Sequence, residues 1–187
     1  MQSKFNTGNP NDIDPTSGWV NYRSPADAKD LGLISTKDGD VYLGVDHSTV
    51  GTGSKGRSSV RVQSKANFNH GLFISKFSHL PKPVCGSWPA YWMVGNSWPD
   101  DGEIDIYENW NMPTSNMITL HTLGTLAQCT LNPLDFSNPV TTPNCDNYGK
   151  GQFTNQGCGT TELGGQWGSA DGGVCMSDLG RDAVEPC

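Results

Sequence analysis

Between positions 102 and 108 the chain reads Gly-Glu-Ile-Asp-Ile-Tyr-Glu, and no other stretch constrains the fold as strongly. The whole sequence contains four glutamates, and two of them, Glu103 and Glu108, sit here with Asp105 between them. Glu103, Ile104, Asp105 and Ile106 alternate with the period of a β-strand, so both acids fall on one face and both isoleucines on the other. Glu108 breaks this parity. In a regular strand it would point among apolar groups, where an ionised carboxylate is costly. A β-bulge near Ile106 and Tyr107 resolves the conflict, because it adds one residue and re-aims the side chains that follow. The prediction is a strand that presents three carboxyl groups on one open face.

Three acids on one face repel each other, so something has to be gained by holding them there. Hydrolysis of a glycosidic bond with retention needs two carboxyl groups roughly 5 to 5.5 Å apart, one to attack the sugar and one to protonate the departing oxygen. Mutual repulsion and unequal surroundings can keep one protonated while the other stays ionised, and the three should titrate as a coupled set. A solvated acidic strand and a calcium site are the competing readings. A hard cation draws on about six to eight oxygens, whereas this run is apolar at alternate positions.

Four of the six tryptophans, Trp88, Trp92, Trp98 and Trp110, flank the acidic run. Trp88, Ala90, Trp92 and Val94 share a face by period two. On a cleft face the indoles would stack on sugar rings; on a core face they would only pack. Trp98 and Trp110 lie in turn-rich segments and are candidates for the cleft mouth. From Met117 to Thr122 the same alternation places His121 beside the acids, with a solvated strand histidine as the alternative. Val60 and Val62 alternate with Ser59, Arg61 and Gln63, so Arg61 is read as a polar-face residue, either at the cleft or solvated.

Trp88-Pro89-Ala90-Tyr91-Trp92, then Trp98-Pro99, then Gly102 to Glu108 resemble the signature of family 16 glycoside hydrolases, in the bulged form found in laminarinases. Further fragments resemble the fungal endo-1,3(4)-β-glucanase branch in order: Asp14-Pro15-Thr16 with Gly18, Gly56-Arg57, Ser59 to Val62, Asn69 to Phe73, Leu120-His121-Thr122 and Gly157-Cys158-Gly159. The resemblance implies a concanavalin-like jelly-roll β-sandwich of two mainly antiparallel sheets. It also implies endo-hydrolysis of β-1,3 or mixed β-1,3/1,4 glucan with no cofactor or catalytic metal. Glu103 becomes the nucleophile, Glu108 the acid/base, and Asp105 the group that holds and tunes Glu103. Trp88, Trp92, Trp98, Trp110, His121 and Arg61 become the substrate-binding set. Related transglycosylases usually have an unbulged motif, with one residue between the aspartate and the second glutamate; here there are two, Ile106 and Tyr107.

Composition fits this reading. A formal charge of −7 argues against nucleic acid or an anionic membrane as partner, and the 34% apolar content with 23 glycines and 12 prolines suits short strands and turns. Strands are predicted around Trp19 to Tyr22, Gly39 to Val45 and Gly71 to Phe77, with a turn or short helix from Ala26 to Leu33. The stretch from Gln128 to Gly168 reads as a long loop stapled by disulfides. Six cysteines without paired short spacings favour disulfides over zinc and an oxidising, extracellular compartment, although spacing leaves their pairing open.

By length the chain is a single domain, 1–187, expected to act as a monomer. Met1 to Pro10 lacks the pattern of a signal peptide, and the resembling enzymes carry further strands at both ends, so the domain reads as partial. Positions 174–187 depart from the family, and Val174-Cys175-Met176 can be encoded by codons that resemble an intron donor; this tail is expected to be aberrant. A non-catalytic glucan-binding sandwich and an inactive fragment from a truncated gene model are the alternatives to the enzyme.

Overall fold

The computed structural model describes residues 14, 17–51, 56–124, 129–162 and 173–179, with backbone alone over 174–179. The chain divides into two compact units, Met1–Asn67 and Phe68–Cys187.

In the first unit, β1 (Val20–Tyr22) pairs in parallel with β4 (Arg57–Ser59). Gly56 enters β4 with φ +75° and lies so close to β1 that a Cβ would meet the Val20 backbone nitrogen at 2.8 Å. No other residue fits there. Between these strands lies α1 (Pro25–Asp30), which begins where Ser24 accepts the Asp27 N–H and Pro25 occupies the first turn. The helix overlaps the segment from Ala26 to Leu33 read as a turn or short helix and starts one residue before it.

Next, β2 (Ile34–Lys37) and β3 (Asp40–Leu43) form an antiparallel hairpin. Asp38 and Gly39 both have positive φ, the conformation of a two-residue turn that suits an Asp-Gly pair. The predicted strand from Gly39 to Val45 shortens to β3, and β2 was not foreseen. The alternation from Ser59 to Gln63 does not continue as strand, because β4 ends with its partner β1, which is only three residues long.

The second unit holds a five-stranded antiparallel sheet in the order β6-β7-β8-β10-β9. Its members are β6 (Ala90–Val94), β7 (Glu103–Glu108), β8 (Met117–His121), β9 (Val140–Thr142) and β10 (Cys158–Thr161). A separate antiparallel pair joins β5 (Gly71–Phe77) to β11 (Gly173–Leu179), with Gly173 opposite Phe77 and Leu179 opposite Gly71. The stretch expected to be aberrant thus forms a strand as far as Leu179; positions 180–187 lie outside the described residues.

Alternation along β5 turns Phe73, Ser75 and Phe77 inward and leaves Leu72, Ile74 and Lys76 exposed. Phe77 packs edge-on against Tyr91 of β6 at 5.6 Å and lies 6.4 Å from Tyr107 of β7, and the Ser75 hydroxyl donates to the Tyr91 oxygen at 2.7 Å. One face of the large sheet is therefore covered by β5, which forces the acids of β7 to the other.

The segment read as a long loop needs correction. It supplies β9, β10 and a 3-10 turn at Pro133–Asp135. The disulfide reading meets it halfway: Cys145 bonds to Cys158 on β10, and Cys129, also disulfide-bonded, packs against them with Leu120 and Leu131. Residues 163–172 lie outside the described residues.

Candidate active site

The bulge falls at the position the parity argument requires. Against β8, Asp105 faces Thr119 and Glu108 faces Met117, so Ile106 and Tyr107 share the single partner Ile118. Against β6, Tyr107 faces Tyr91 and Asp105 faces Trp92, which again leaves Ile106 as the extra residue. Tyr107, 2% exposed, turns to the covered face with Ile106, while Glu103, Asp105 and Glu108 keep to the other. Trp92 opposite Asp105 and Ala90 opposite Glu108 share that acidic face by register.

Each glutamate receives an indole N–H. Trp88 donates from Nε1 to Glu108 Oε1 at 2.8 Å, and Trp98 donates from Nε1 to Glu103 Oε2 at 2.5 Å. Trp98 is held over the strand by the turn between β6 and β7, where the Asp101 N–H bonds to the Ser97 carbonyl and the Gly102 N–H to the Pro99 carbonyl. Trp110 follows β7 and lies 6.4 Å from the Trp88 ring. All three indoles are substantially exposed, an open apolar surface beside the acids. A depression next to Glu108 is lined by Trp110, Met112, Pro113, Ser115 and Met117.

Asp105 is 4% exposed and sits between the glutamates, with His121 Nε2 3.2 Å from its Oδ2. The other ring nitrogen, Nδ1, bonds to Asn147 Oδ1 at 2.6 Å. Burial opposes charging of this imidazole, yet the hydrogen bonds it donates to Asp105 and Asn147 and the Asp105 charge outweigh it, so His121 titrates above its ordinary range. Gly157 (φ +64°) lies against the ring, and a Cβ there would meet Nδ1 at 2.8 Å. Burial, followed by repulsion from Asp105, lifts Glu108 to about 6, against the lowering effect of its bond to Trp88. Glu108 thus holds its proton well above the ordinary carboxylate range, up to about pH 6.

Eight of the nine residues singled out from sequence lie in the second unit. Glu103, Asp105, Glu108, Trp88, Trp98 and His121 are brought together by these contacts, Trp110 adjoins them through Trp88, and Trp92 shares their face. Arg61 belongs to the first unit, where its guanidinium lies 3.9 Å from Asp14. Asn116 and Asn147, which bond to the β7 backbone and to His121, were missed from sequence; nothing local to either residue signals its partner.

The family described as the XgeA-like, catalytic GH16 domain matches residues 9–185. An endo-1,3(4)-beta-glucanase of Arthroderma benhamiae is 42% identical over 179 residues, which cover 91% of this chain and 38% of that protein. Among solved structures, an elongating GH family 16 beta-1,3-glucosyltransferase is 40% identical, with a TM-score of 0.77. Laminarinase 16A from Phanerochaete chrysosporium, solved with 6-O-glucosyl-laminaritriose in donor and acceptor sites, is 32% identical with a TM-score of 0.79. Each match covers 89% of this chain and 56% of the solved chain, so this chain spans little more than half of them. The all-β jelly-roll fold is common to these neighbours and to this chain. On its acidic bulged strand, its fold and its relatives, the chain belongs to glycoside hydrolase family 16, in the branch of the XgeA-like catalytic domains.

Proposed function

We propose that the chain carries the catalytic centre of an endo-acting, retaining β-glucanase that cleaves β-1,3 and mixed β-1,3/1,4 glucan. The observation that carries this reading is the pairing of two glutamates on one strand face, one of which can hold a proton at about pH 6. Glu103 attacks the anomeric carbon while Glu108 gives its proton to the departing glycosidic oxygen, forming a glycosyl-enzyme and a shortened glucan. Glu108, now ionised, takes a proton from water as the water attacks the same carbon, and the configuration is retained. The Trp98 N–H steadies the Glu103 carboxylate before attack, and Asp105, held by His121, keeps negative charge beside Glu108 so that it recovers its proton. The exposed indoles of Trp88, Trp98 and Trp110 offer flat faces for sugar rings.

The Cys145–Cys158 disulfide supports a secreted protein, and a monomer acting on a neutral polysaccharide accords with the acidic composition. Likeness to an elongating glucosyltransferase favours a second reading, in which a sugar hydroxyl replaces water in the second step. The test is release of reducing ends from soluble β-1,3-glucan, with Glu103→Gln as the blank and product lengths followed by chromatography. Release above the blank, with products that only shorten, supports hydrolysis; products longer than the substrate support transfer. Equal release from both proteins would remove Glu103 from the mechanism.

A further inference from the structure

A bulge strips ladder partners from its strand, and on β7 the gap lies just before Glu108. Asn116, the residue preceding β8, fills it with a side chain. Its Oδ1 accepts the Glu108 N–H at 3.2 Å and its Nδ2 donates to the Ile106 carbonyl at 2.9 Å. The carboxamide stands in for a peptide group of the neighbouring strand, meeting one donor and one acceptor with one of each. This match fixes its orientation, since the flipped amide sets N–H against N–H and oxygen against oxygen. Asn116 is 4% exposed, so losing it would leave shielded backbone groups unsatisfied. It is anchored in turn by Glu162, whose N–H donates to the Asn116 carbonyl at 2.9 Å and whose Oε2 lies 3.4 Å from Nδ2.

Glu103 and Asp105 precede the bulge, and Glu108 alone of the three follows it. A change in bulge geometry therefore redirects the acid/base and leaves the nucleophile in place. We propose that Asn116 is a positioning residue for acid/base catalysis: its carboxamide clasps the bulge from Ile106 to Glu108 and so aims the Glu108 carboxyl at the leaving oxygen. The assignment rests on the reading of the chain as a retaining glycosidase.

The leaving group separates the two catalytic roles. A sugar needs the proton from Glu108 to depart, whereas dinitrophenolate departs without one. The full chain, Asn116→Ala and Asn116→Asp are compared by kcat/KM on a β-1,3-linked oligosaccharide and on the dinitrophenyl β-glycoside of the same sugar, with thermal melts to score folding. Asn116→Ala should lose on the order of 100-fold on the oligosaccharide, at the low end of what a positioned acid contributes, and less than about 5-fold on the aryl glycoside. Azide, which attacks the glycosyl-enzyme without a general base, should raise kcat of this variant on the aryl substrate. Equal losses on both substrates in a folded variant overturn the proposal, as does an unchanged oligosaccharide rate. Asn116→Asp keeps the shape and the acceptor for Glu108 but sets an oxygen against the Ile106 carbonyl; the same ratio decides the matter if the alanine variant does not fold. A wild-type chain that cleaves neither substrate overturns the glycosidase reading itself, and the role of Asn116 with it.

Discussion

Glu108 and His121 sit on either side of Asp105 and respond to it in opposite chemical senses. The aspartate repels a second carboxylate and attracts an imidazolium, so its single charge helps keep Glu108 protonated and His121 charged. Glu108 holds its proton below about pH 6 and loses it above. On glucan, kcat/KM should therefore fall by about tenfold per pH unit above that point, and the fall should vanish for a substrate whose leaving group needs no proton. A pH–rate profile measured on both substrates checks this. Trp98→Phe removes the N–H donated to Glu103 while retaining an aromatic ring. A hydrogen bond to a charged group contributes about 1.5–3 kcal/mol, so kcat/KM should drop roughly 10- to 100-fold on both kinds of substrate. An unchanged rate would show that the indole serves only as a stacking surface.

At the scale of elements, β7 serves two masters. Its acids face the open side, while Ile106 and Tyr107 form the covered side, with Tyr107 near Phe77 of β5. Tyr107→Ala should cost about 3–5 kcal/mol, read from urea unfolding, because a buried aromatic side chain leaves a cavity that its neighbours fill only in part. Strands β5, β6, β7 and β8 were legible in the sequence: β7 and β8 alternate apolar with polar residues, while β5 and β6 are short runs rich in bulky aliphatic and aromatic residues bounded by glycine or proline. The bulge was legible too, because the parity of Glu108 admits no regular strand. By contrast, β9 and β10 hid in what read as loop. Cys158-Gly159-Thr160-Thr161 has no bulky apolar side chain, and its burial comes from the bond to Cys145 and the ladder to β8. The strand read from Ser59 to Gln63 was cut short for a related reason: β4 ends at Ser59 with the three residues of β1, a partner 37 positions away.

For the whole molecule, both shifted groups of the site make stability fall as pH rises. Glu108 titrates at about 6 in the folded state against 4.5 for the free side chain, so the folded chain binds more protons between these values. Its contribution is complete below pH 4.5, and about 2 kcal/mol is lost as pH rises through 6. His121 is raised above 6.5, so it stabilises below that value and its share is lost as pH rises through its folded pKa. Calorimetry should show Tm falling as pH rises from 4.5 through about 6, with the Glu108 share of the fall absent in Glu108→Gln. A Tm that rises over this window would contradict the arrangement of charges at Asp105.

What the sequence determined by itself was the acidic face: period two and one broken parity suffice to place three carboxyl groups, because strand geometry is local. The family followed from the resemblance of the tryptophan run and the acidic motif between Trp88 and Glu108 to a known signature. Tertiary structure alone decided that Glu108 titrates above the ordinary carboxylate range, since that depends first on burial, and it alone brought His121 to Asp105 across 16 positions by strand pairing. It alone placed Asn147, 26 residues from His121, and joined Asn116 to the bulge. Those contacts are individual side-chain hydrogen bonds, and a hydrogen bond made on folding leaves no period in the chain.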